Sequence, residues 1–61
     1  MKIDYRIDLW CICKDEATMN IIATFLITKM RDEKLKGNIL SGNVGTHITE
    51  TPETRTINEG I

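Results

Sequence analysis

Sixty-one residues leave room for one domain and one core, and a chain of this size buries only about 60% of the surface that its unfolded form exposes. With 41% apolar and 28% charged residues, one proline and four glycines, the composition is that of a folding chain and excludes the disordered class. A formal charge of −1 supplies no global field toward nucleic acid or an acidic membrane, and nine acids against eight bases is not the balance of an acidic nucleic-acid mimic.

The chain opens on "KIDYRIDLWCICK", which alternates. Ile3, Tyr5, Ile7, Leu9, Cys11 and Cys13 fall on one face, and Lys2, Asp4, Arg6 and Asp8 on the other. Period two over this length predicts a strand at about residues 2–13, half buried against something. Trp10 and Ile12 then occupy the face that had been polar, so the second half is apolar on both sides. Such a segment runs into the middle of a sheet or meets another chain. Cys11 and Cys13 lie about 6.5 to 7 Å apart along one strand face, at or beyond the limit for a relaxed disulfide, so none is expected. Charges within the first eight residues leave no apolar signal-peptide region, and the run at residues 21–27 is far shorter than the ~20 residues that span a bilayer. The expected setting is reduced and cytoplasmic.

A helix is predicted over residues 16–36. Asp15 is the candidate N-cap and Glu16 sits in the first turn, where negative charge suits the helix dipole. Lys29, Arg31, Lys34 and Lys36 gather toward the other end, and Gly37 stands at the stop position. At 100° per residue, Met19, Ile22, Ala23, Leu26 and Met30 make the stripe that packs on a sheet. Ile21, Phe25 and Ile27 lie outside it, so the apolar arc covers roughly 240° against the ~100° of an ordinary surface helix. With so little chain left to cover the rest, an oligomer interface is expected, comprising Trp10, Ile12, Ile21, Phe25 and Ile27.

Beyond Gly37 the signals are short and turn-like. Val44, Thr46 and Ile48 alternate with Gly45, His47 and Thr49, and Thr and Ile are enriched again before the end. This predicts short strands within residues 39–57, with a hairpin around Pro52 and a tail at residues 58–61.

The chemistry-bearing residues are few. Cys11, Cys13 and His47 offer three zinc ligands at most, at a spacing unlike that of structural zinc sites, so no metal or other cofactor is expected. A cysteine nucleophile would need a base and an oxyanion site, and so short a chain supplies no pocket for them; no enzymatic activity is expected. Arg6, Lys29, Arg31, Lys34, Lys36 and Arg55 form the candidate anion-binding set, with the glycine-containing residues 41–45 as a backbone nest for phosphate.

The fold class expected is α+β, a single small domain at residues 1–61 in the order β-α-β-β. One long helix packs on a small antiparallel or mixed sheet that is completed by oligomerisation. The first half resembles half of a ferredoxin-like unit, which implies completion by a second protomer and carries no function. Chains this small and plain also resemble the inhibitors and regulators encoded by phages and mobile elements, some of which disarm host defence. The expected function is therefore a non-enzymatic homo-oligomer that binds and blocks a larger protein. The alternative is an oligomeric sponge that sequesters a nucleotide or other phosphate-bearing small molecule between protomers. Neither a membrane nor a nucleic acid is an expected partner.

Overall fold

The computed structural model describes residues 2–50 and 54–61, with the side chain of Thr54 excepted. They form an α+β structure in the order helix, strand, strand: α1 (Glu16–Leu35), β1 (Asn43–Thr49) and β2 (Thr54–Gly60). The expected turn around Pro52 lies outside the described residues.

Both helix ends follow from local chemistry. Asp15 is extended (φ −156°, ψ 171°), and its carboxylate accepts from the Thr18 N–H at 2.8 Å, which satisfies a donor that the first turn leaves free. That bond holds the Asp15 carboxyl below its ordinary range. At the other end Gly37 takes a left-handed conformation (φ 82°) that costs a side-chain-bearing residue about 1–2 kcal/mol. The Asn38 N–H then reaches the Glu33 carbonyl (2.9 Å) and the Gly37 N–H reaches that of Lys34 (3.0 Å), the paired bonds of a Schellman stop.

β1 and β2 pair antiparallel, from Asn43↔Gly60 through Thr49↔Thr54. The ladder therefore takes in Asn58, Glu59 and Gly60, where a tail was expected. The Ile61 N–H donates to the Gly42 carbonyl at 2.7 Å and extends the pairing by one step. Because hydrogen-bonded and non-bonded pairs alternate, Val44↔Glu59, Thr46↔Ile57 and Ile48↔Arg55 exchange the ladder bonds. Asn43, Gly45, His47 and Thr49 consequently turn their amides away from β2, toward an edge of β1 with no neighbouring strand among the described residues.

α1 lies on one face of this ribbon and runs opposite to β1. Glu16 and Met19 sit beside Thr46 and Ile48, while Met30 reaches Gly42. Val44, Thr46 and Ile48 are half-buried against it together with Met19, Ala23, Leu26, Ile27 and Met30. Two expectations change here. Ile27 belongs to the sheet side, and Ile22 stands at its margin, 38% exposed. The helix is rotated toward β2, with Glu16 and Asn20 beside Arg55 and Ile57, and Arg31 meeting Glu59 at 3.4 Å.

Residues 2–13 form no strand. Their alternation is a demand for a ladder partner, and within one chain none of the described strands meets it. The β-α-β-β order is thus reduced to α-β-β, with an unpaired, exposed arm in front. The consequence is visible in the dimensions. The radius of gyration is 13.8 Å, against about 10.5 Å for a compact chain of this length. The accessible surface of 5670 Å² exceeds by about 1,600 Å² the value for a compact 7.0 kDa protein. No described residue is fully buried.

Candidate interaction surface

The exposed surface is apolar where a folded monomer would hide it. On the arm, Ile3, Tyr5, Ile7 and Leu9 are exposed, as are Trp10 (84%) and Ile12 (89%). On α1, Ile21 and Phe25 are 71% and 69% exposed. Of the five residues expected at an oligomer interface, four are therefore open, and Ile27 is drawn inward. Large exposed apolar areas of this kind mark interaction surfaces.

Their placement on the helix is not random. Glu16, Asn20 and Arg31 define the side of α1 that faces β2, and helical spacing places Ile27 with them. At 100° per residue, Ile22 lies on the opposite side, above the unpaired edge of β1, with Phe25 next to it. Ile21 points further out. The open helix residues and the open strand edge are thus neighbours. Composition alone could not show this, because it depends on the rotation of the helix over the ribbon.

The candidate anion-binding residues do not converge. Arg6 Nε pairs with Asp8 at 2.8 Å on the arm, and Arg55 pairs with Glu50 at 3.1 Å. Lys29 and Lys36 both engage Glu33, at 3.0 and 3.6 Å, Lys36 also meets Asp32 at 3.1 Å, and Arg31 meets Glu59. Arg55 stands near the start of α1, whereas Lys34 and Lys36 stand at its end. Nor do residues 41–45 form a nest. Residues 43–45 are extended in β1, and among the described residues only Gly37 has a positive φ.

Glu33 is the node of this basic end. The Asn38 side-chain amide donates to it at 2.6 Å and Lys29 at 3.0 Å, and these bonds, with the charges of Lys29 and Lys36, bring its carboxyl down to about 2. The same bond raises Lys29. A depressed carboxyl contributes stability that is complete above its ordinary value of 4.5 and is lost as the pH falls through about 2. Helix content followed by circular dichroism should decline across that window. Glu33→Gln should flatten the decline, and an unchanged acid profile would show that the node is inert.

Cys11 and Cys13 are free thiols. Partial burial raises Cys13, and the adjacent Cys11 thiol adds to the effect. His47 Nδ1 lies 3.1 Å from the Thr56 hydroxyl, directly across the ladder. Among the described residues no three His, Cys, Asp or Glu side chains come together as a metal-binding group, and no helix is long and apolar enough to cross a membrane. The chain matches no protein-family model, no curated protein and no solved structure.

Proposed function

We propose that this chain is a non-enzymatic interaction protein that assembles with itself and acts by occupying a larger protein partner. One observation carries the reading. An unpaired arm of twelve residues displays large exposed apolar side chains at both its odd and its even positions, α1 carries further exposed apolar residues, and no residue among those described is buried. Self-association supplies the missing core, as small scaffolds commonly require. Trp10, an exposed aromatic of the type that anchors protein interfaces, is the arm residue best suited to anchor that assembly. The inhibitory role of small phage-type regulators fits a protein that works through surface alone. The phosphate-sponge reading finds less support, because Arg6, Lys29, Arg31, Lys36 and Arg55 each engage a nearby carboxylate, and Arg55 stands at the other end of the helix from the lysines.

Light scattering on the purified chain tests the first step. A mass of twice 7.0 kDa or more at micromolar concentration is expected. A stable monomer at that concentration sinks the reading.

A further inference from the structure

We infer that the partner for the unpaired edge of β1 is the N-terminal arm of a second copy, exchanged reciprocally so that each protomer completes the other's sheet. This rests on the self-association proposed above and specifies how it occurs.

Handedness selects the edge. Viewed from α1 with β1 running upward, the inward residues Val44, Thr46 and Ile48 of an L-chain direct their amides to the right. There they meet β2, which leaves the free edge on the left. α1 runs downward in this view. A strand at the left edge that runs upward into α1, with β1 following on its right, makes a right-handed crossover, the hand found in about 98% of such units. The same strand on the far side of β2 would make a left-handed one, and that is the side a ferredoxin-like arrangement would demand. The selected edge also lies beneath Ile22 and Phe25, so the Ile3, Tyr5, Ile7 and Leu9 face of an added arm would meet their uncovered side chains. The amides of Asn43, Gly45, His47 and Thr49 would complete its ladder.

Three features favour a second copy over the chain's own arm. Only Lys14 and Asp15 separate the arm from α1, and Asp15 is held extended by its capping bond; short connections of this kind favour exchange between copies. The surplus of about 1,600 Å² on each chain, about 3,300 Å² for two, falls in the size range of obligate homodimer interfaces. An arm that is apolar on both faces at Trp10 and Ile12 needs cover from two sides, and one helix over one ribbon gives cover from one. Reciprocal exchange about a two-fold axis closes the assembly.

The test uses the full chain. In a sample mixing two isotopically distinct copies, filtered nuclear Overhauser spectra should show contacts from Ile3, Tyr5 and Ile7 to Ile22 and Phe25 between differently labelled chains. His47→Pro removes an edge amide that β2 does not use, and should weaken assembly at least tenfold, while His47→Ala, which keeps that amide, should assemble as the natural chain does. Arm contacts confined to one chain would overturn the exchange. So would an assembly that contacts only through its helices, or one that tolerates His47→Pro, although self-association itself would stand. A monomer would remove both readings.

Discussion

The thermal midpoint of this protein should rise by about 5 °C for every tenfold increase in its concentration. Anything that binds the folded chain stabilises it by mass action, and for a dimer the ligand is the chain itself. A tenfold change is about 1.4 kcal/mol, set against an unfolding entropy of about 0.26 kcal/mol/K for two such chains. The effect is large because the single chain has so little to fall back on. Its helix rests on one side of a two-stranded ribbon, and even Met19, Leu26 and Met30 are only half-buried. Calorimetry over two decades of concentration reads it directly. A midpoint that does not move means that one chain is stable alone.

Phe25→Asp should break the assembly and leave the helix. The ring is 69% exposed and contributes little to packing within the chain, so its loss leaves Met19, Ala23, Leu26 and Met30 in place on β1. In an interface the outcome reverses. An aromatic ring buries about 150–250 Å², and a carboxylate in its place is desolvated without a partner. Dissociation by at least a hundredfold is expected, read as a fall in scattering mass toward 7.0 kDa with helical circular dichroism retained at low temperature. Natural assembly in the variant would place Phe25 outside the interface. Loss of helix along with assembly would mean that the ring supports the protomer.

The contrast between helix and arm shows what a sequence of this kind reveals. Asp15 and Gly37 act on their immediate neighbours, through one capping bond and one left-handed turn, and the helix ends where they stand. The alternation of Val44, Thr46 and Ile48 is likewise a local record of which face meets α1. The arm has equally clear periodicity, yet periodicity specifies a face and never a partner. Residues 58–60 show the reverse. Asn, Glu and Gly are poor strand formers, and they become strand because the register that starts at Thr49↔Thr54 carries them opposite Gly45, Val44 and Asn43. The rotation of α1 toward β2 was equally hidden. It exchanged the roles assigned to Ile22 and Ile27 through contacts with residues some thirty positions away. The basic cluster was legible as composition, but its charges engage Asp32, Glu33, Glu50 and Glu59, whose positions only the fold reveals.

That no described side chain is wholly withdrawn from solvent has a meaning for the cell as well as for the test tube. If acquiring shape and finding a second copy are one event, the amount of competent protein grows more steeply than the amount synthesised. Scarce copies remain open chains, available to proteases, and abundant ones rescue each other. A protein built this way would act above a dose and vanish below it, with the threshold set by twelve residues at its start.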